Sequence, residues 1–430
     1  MSTDKKLNEI QFFLSHAKPM RVLLLTNLIY AMVLPIVEMF IGAYIMRNSN
    51  DLALVVIFQL AVYTGIPATF AINGWLLNHV KISRLYSLGM LLSGLSMSAL
   101  MTLKQLNTAG IFITGLIMGL SYGFFWANRD FLALNTTNNN NRNYYYGIET
   151  FFYTIAGIII PASAGAFIAA ATKNTWFGGN INIAYYWLAG FVMCLTVFAS
   201  IMVHMGGFKN PKREPFIFTK FDPLWGKMLR LAALKGVGQG YIVTAPTMLI
   251  MTLVGKEGAL GVIQSIAAFL SAIMMYILGR TTKPRHRLII FGIGLSIFLI
   301  GALVNAGLYS AVGVITFVLC LVFARPLLDI AYFPIQLQVI DYLAAKEKRN
   351  EFAYIFNHEL GLYIGRLFGC GLFILLAWYV SEQVALRYAL LAVAAVQFLS
   401  YFMARSILKD PSWKSNEPSL EEVEYASEQP

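Results

Sequence analysis

Glu38, Arg129, Asp130, Glu149, Lys235, Arg325, Asp329, Glu359 and Arg366 all interrupt long apolar runs of this chain. A charge in hydrocarbon costs roughly 2.5–3.5 kcal/mol on insertion scales, so charges kept there face a wet, protein-lined interior and can serve protons or polar solutes. Helical spacing groups them. Trp126, Arg129 and Asp130 stand at i, i+3 and i+4 and share a face, and Glu149 shares one with Tyr145, Tyr146, Phe152 and Tyr153. Arg325 and Asp329 are four apart around Pro326, and Glu359, Tyr363 and Arg366 follow i, i+4, i+7. Asn27, Tyr30, Leu34 and Glu38 form a further stripe, with Pro35 beside the acid. His358 is the one histidine placed to face an interior cavity.

The elements that must position these groups are membrane helices. The chain is 58% hydrophobic and 12% charged, with a mean hydropathy of +0.65, whereas a soluble chain is nearer half apolar and a quarter charged. Segments 21–46, 54–77, 85–103, 108–134, 146–171, 183–203, 229–254, 259–278, 288–309, 312–342, 352–380 and 384–407 each approach the roughly 20 residues needed to cross a bilayer. The expected class is therefore an all-α membrane protein of twelve transmembrane helices. The first run is too long for a signal-peptide core and is kept as a span. Cys194, Cys320 and Cys370 all fall within spans, which leaves no disulfide framework, and no metal or cofactor is expected.

Net charge is +11, which in a soluble chain would suggest nucleic acid. Its distribution suggests topology instead. With the N-terminus inside, the outer loops carry only Arg47, Lys104, Lys173, Lys256 and Arg387, and most other basic residues collect on the inner side. Positive residues mark the cytoplasmic face, so both termini are expected there, in an inner or plasma membrane.

The chain also repeats itself. The polar stretch Gly206–Asp222 separates two sets of six spans. Short basic loops after the second and eighth spans correspond, Gly74–Gly89 and Leu278–Gly292, as do those after the fourth and tenth. Parallel repeats of this kind build one large class of transporter. The expected divisions are 1–207 and 225–409 as six-helix halves, 208–224 as a cytoplasmic linker and 410–430 as a disordered acidic tail.

The chain resembles the major facilitator superfamily. That family's loop signature, Gly-x-Leu-x-Asp-Arg-x-Gly-Arg-Arg, is matched at Gly74, Leu76, Arg84 and Gly89, with departures at Asn78, His79 and Lys81. Asn78 can still cap a helix end but cannot form the family's charge pair. Gly279, Arg280 and Arg285 stand in the corresponding loop of the second half. Gly157–Gly165 partly resembles a signature of antiporter members, retaining Pro161 and Gly165. The resemblance implies an MFS fold in which spans 3, 6, 9 and 12 are peripheral, and no charge interrupts the interior of those four.

The implied function is secondary active transport of a small organic solute by alternating access, proton-coupled and leaning to export. The competing reading is uptake of a polar or anionic nutrient, suggested by Arg325 and Arg366. A non-transporting sensor and an intramembrane enzyme are remote alternatives, and no catalytic constellation such as H-E-x-x-H is present. The expected partners are the solute, protons and the bilayer, with no nucleic acid and the chain as a monomer. Arg129, Asp130 and Glu149 are either a latch between the fourth and fifth helices or a substrate and proton contact. Arg325 and Arg366 either meet substrate or pair with Asp329 and Glu359. Lys235 is expected to snorkel to the interface, and Lys235–Gly240 (KGVGQG) to serve bending or close packing.

Overall fold

The computed structural model describes residues 9–49, 51–137, 141–210, 218 and 220–412. Residues 413–430 of the expected tail, and 211–217 and 219 of the linker, lie outside them. After a short helix, Glu9–Ser15, come α1 (Lys18–Asn48), α2 (Ala53–Leu76), α3 (Ile82–Thr102), α4 (Thr108–Thr136), α5 (Arg142–Lys173) and α6 (Asn182–His204). The second half holds α7 (Pro223–Ile242, resuming at Ala245–Leu253), α8 (Glu257–Thr281), α9 (Arg287–Leu308), α10 (Ala311–Glu347), α11 (Glu351–Tyr379) and α12 (Glu382–Leu408). Among the described residues, eleven are long enough and apolar enough to cross a membrane. The broken α7 makes the twelfth.

Capping side chains set several starts. Asn107, Ser310 and Ser381 accept from the backbone N–H three residues on, and Asp222 from that of Leu224, satisfying donors that a helix start leaves unpaired.

The same neighbour pairs recur in each half. Helices α1 and α5, α2 and α4, α3 and α4, and α3 and α6 pack together, as do α7 and α11, α8 and α10, α9 and α10, and α9 and α12. The principal pairs across the halves are α5–α8, α2–α11 and α1–α7, which the repeat maps onto one another. Backbones approach closely at small residues. A Cβ on Gly365 would stand 1.8 Å from the Ala233 carbonyl, and one on Gly236 would stand 2.1 Å from that of Leu362. KGVGQG is thus a packing surface between α7 and α11.

The leading helix of each half is irregular at mid-length. In α1, Ile36–Phe40 forms a π-turn directly after Pro35. Such turns shift the helical register and recur at functional sites. In α7 the helix stops at Ile242 and restarts at Ala245. Pro246 has no N–H to donate to the Ile242 carbonyl four residues back, so a break falls here.

Candidate functional site

Arg129 and Glu149 meet within the first half. Arg129 Nε donates to Glu149 Oε1 at 2.9 Å, and its Nη2 donates to Oε2. Asn27 Nδ2 from α1 (2.5 Å) and the Tyr145 hydroxyl (3.0 Å) also donate to Oε1, and Tyr86 of α3 donates to Asn27 Oδ1. Arg129 also holds the more exposed Asp130 at 2.6 Å and lies 5.2 Å from the Trp126 ring centre. The carboxylate is only 2% exposed, so the network ties α1, α3, α4 and α5 together.

The second group lies between the halves. Glu38, carried by the π-turn, is accessible and makes no hydrogen bond or ion pair among the described residues. The groups within electrostatic reach are Tyr30 on its own helix, Tyr122 on α4 and Arg325 on α10. Arg325 is accessible too, and its Nη2 donates to the Ile242 carbonyl at 3.0 Å. That is the acceptor orphaned by Pro246, so a charged side chain caps the break in α7.

One of the two alternatives for Arg325, and the expectation for Lys235, are not met here. Arg325 and Asp329 share a face of α10 yet do not pair. Asp329 instead accepts from Lys235 of α7 at 3.0 Å, while Arg325 caps Ile242. Lys235 does not snorkel. Its ammonium lies 3.9 Å from the Tyr332 ring centre and 4.0 Å from that of Phe333, held by two aromatic faces and an acid. A cavity of about 260 Å³ is lined by Lys235, Gln239, Arg325, Asp329, Tyr332 and Gln397. Another of about 370 Å³, reaching Pro246, Gln264 and Ser271, also touches Arg325 and Asp329.

Arg366 is engaged on every side. It donates to Glu359 at 3.1 Å and twice to Gln239 Oε1 at 3.0 and 2.8 Å, and lies 4.6 Å from the Tyr63 ring centre of the other half. Tyr63 donates to the Gln239 carbonyl at 3.0 Å, and Thr64 meets Tyr363 at 3.2 Å. His358 is buried, 2.6 Å from the Tyr332 hydroxyl.

At the end of the bundle opposite the termini, Arg47 of α1 donates to both oxygens of Glu257 of α8, at 2.6 and 2.9 Å. Tyr185 of α6 adds a bond at 2.7 Å, and Glu257 is 1% exposed. The Leu52 N–H donates to Glu382 and Trp378 donates to Asp51 alongside it. These bonds between the halves seal this end. Removing Arg47 leaves a buried acid unpaired, a loss of roughly 3–5 kcal/mol that falls on the sealed state alone. Arg47→Ala is expected to raise maleimide labelling of a Thr247→Cys reporter at the seal by about tenfold or more. Unchanged labelling would remove the pair from gating.

At the end that carries the termini, Lys81, Arg84, Arg280 and Arg285 are exposed and make no ion pair among the described residues. Gly74 lies in the last turn of α2 and Asn78 in the turn that follows, and Gly279 lies in the last turn of α8. Asn210 of the linker accepts from the Ile82 N–H at 2.9 Å and donates to Leu77 and Val80 carbonyls, thereby capping α3.

Sequence reasoning missed Glu257, Tyr185, Gln239 and Asn210 as site or coupling residues. Glu257 stood at a predicted loop edge, where an acid is ordinary. Gln239 carries no charge to flag it.

A two-halved helical bundle whose interior holds charged groups from both halves is the architecture of a multi-pass membrane transporter. The Major Facilitator Superfamily profile matches residues 22–370, and the chain belongs to that superfamily. It is 23% identical over 420 residues to the uncharacterized protein YqgE of Bacillus subtilis (strain 168), across 92% of this chain and 90% of that one. The fold is similar to a bacterial homologue of the iron transporter ferroportin in an inward-facing state, at 13% identity and TM-score 0.66, covering 91% of this chain and 98% of the other. It is also similar to the nucleoside transporter NupG, at 11% identity and TM-score 0.63, covering 91% and 99%. A third is the peptide transporter POT in complex with sulfate, at 13% and 0.66, covering 93% and 99%. Likeness at these identities shows the fold alone.

Proposed function

We propose that this transporter exchanges protons for a small organic solute and exports the solute from the cytoplasm, acting as a monomer in the inner or plasma membrane. Halves 1–207 and 225–409, joined by linker 208–224, rock about the central charges while the basic loops and both termini face the cytoplasm. One observation carries the coupling: Glu38 stands accessible between the halves with no bonded partner among the described residues. Such a carboxylate can hold a proton or a cationic group, but not both at once. That competition produces exchange.

The export direction is supported by α5 and α8, where Pro161 and Gly165 of the antiporter-like stretch lie against Gly261. A Cβ on Gly261 would stand 2.3 Å from the Pro161 carbonyl. Uptake of an anionic solute is the second reading, favoured by the accessible guanidinium of Arg325.

The test uses purified protein in vesicles containing a pH-sensitive dye. Compounds that thermally stabilise the protein, drawn from a metabolite and drug library, are expected to drive protons opposite to their own movement. Movement in the same direction establishes uptake coupling, and no proton movement with any stabilising compound removes the coupling. Orientation is checked by maleimide labelling in a background where Cys194 and Cys320 are Ser. Lys209→Cys is expected to need permeabilised cells, and Asn174→Cys to label without it.

A further inference from the structure

Glu38 of α1 and Arg325 of α10, from opposite halves, lie within electrostatic reach of each other and form no ion pair among the described residues; the outer piece of α7, whose break Arg325 caps, packs on both α1 and α10. Both charges have bonding capacity to spare. Among the described residues Arg325 uses one of its guanidinium donors, on Ile242, and Glu38 uses none of its acceptor sites. The neighbours that could satisfy them are committed elsewhere. Asp329, four residues from Arg325, is drawn to Lys235, and Arg366 is held by Gln239 and Glu359. Two accessible opposite charges that do not satisfy one another leave open bonding sites that a solute can occupy. The complement of an acid on one wall and a guanidinium on the other is a molecule with a cation at one end and an anion at the other.

We infer that the solute is amphoteric, its cationic group held by Glu38 and its carboxylate or other planar anionic group by Arg325, so that it bridges the two halves. The inference rests on the proton-exchange reading and deepens it by naming the substrate class. Arg325 suits the anionic end because its planar fork matches a carboxylate with two parallel bonds. Bridging also couples binding to conformation. Arg325 caps the break in α7, and Glu38 rides on the π-turn of α1, so a solute spanning them touches the irregular point of each half's leading helix. Asp329 beside Arg325 gives the anionic end a repulsive neighbour, and its bond to Lys235 offsets that charge.

The test titrates purified full-length protein with a graded series of zwitterions: leucine, 4-aminobutyrate, 6-aminohexanoate and dialanine. The monofunctional controls are hexylamine and hexanoate, and affinity is read by calorimetry and thermal shift. At least one zwitterion is expected to bind about tenfold or more tightly than either control, the worth of one further charge-assisted bond. Arg325→Gln is expected to reduce that zwitterion to the affinity of the amine, and Glu38→Gln to that of the carboxylate. Because Arg325 also caps Ile242, Arg325→Lys is included as the variant that keeps the charge and is expected to retain part of the preference. The paired reversal Glu38→Arg with Arg325→Glu is expected to restore zwitterion binding lost in either single reversal. Equal binding of amine and zwitterion, a preference that survives Arg325→Gln, or no binding by any member overturns the inference. A purely cationic compound that displaces protons in the vesicle assay would overturn it while leaving the exchange reading standing. Zwitterion binding with no proton movement would do the reverse.

Discussion

Glu38→Gln is expected to abolish solute accumulation driven by a pH gradient while solute-for-solute exchange continues at saturating concentration. The amide has the shape of the protonated acid but neither gains nor loses a proton, so the step that links the two fluxes disappears. Affinity is also expected to fall, because a bond to a charged acceptor is roughly twice as strong as one to a neutral amide. What remains of that affinity should no longer vary between about pH 5 and 8. The groups facing Glu38 are Tyr30, Tyr122 and Arg325, and neither tyrosine nor arginine ordinarily exchanges protons in that range. Vesicle uptake and calorimetry on wild type and variant check both halves of this expectation. Wild-type pH dependence in the Gln variant would exclude Glu38 as the coupling group.

The second large effect belongs to stability. Arg129→Ala leaves Glu149 buried beside Asn27 and Tyr145 with no countercharge, a loss of roughly 3–5 kcal/mol. Melting temperature should drop by several degrees. Glu149→Ala should cost a similar amount, because Arg129 then keeps only the more exposed Asp130. The double variant should recover part of the combined loss, since neither unpaired charge remains and residues in direct contact couple strongly. Arg129→Lys should rescue little, because an ammonium cannot make the two-pronged contact. If Arg129 instead met solute, the single variant would keep wild-type stability and lose affinity. Strict additivity in melting temperature would dismiss the latch.

These two effects separate the interior charges by work. The Arg129–Glu149 network lies wholly inside one half, where the proposed rocking would leave it intact. The unpaired Glu38 and Arg325 and the Arg47–Glu257 seal span the two halves, where the proposed rocking would change them.

Much of this was legible in the residues alone. Apolar runs of bilayer length, charges that interrupt some of them and a repeat of loops about half the chain apart require only local periodicity and the cost of desolvation; which spans are peripheral came from the resemblance. They determine a two-repeat bundle of twelve helices and mark which positions are anomalous. Spacing along a helix also placed Glu359 and Arg366 on one face, and they do meet.

Partnership across helices was not legible, because periodicity says which residues share a face and not which helix that face meets. Arg325 and Asp329 share a face, yet Lys235 takes the acid and the carbonyl orphaned by Pro246 takes the guanidinium. Asn27 reaches Glu149 only because α1 packs on α5. Glu257 reads as an ordinary loop acid until the halves close over it. The π-turn that carries Glu38 follows a proline visible in the chain, but its extra residue per turn is chosen by the packing around it. Rotation of each helix about its axis and the approach of the two halves are tertiary quantities, and they decided which charges are satisfied and which are left facing the gap.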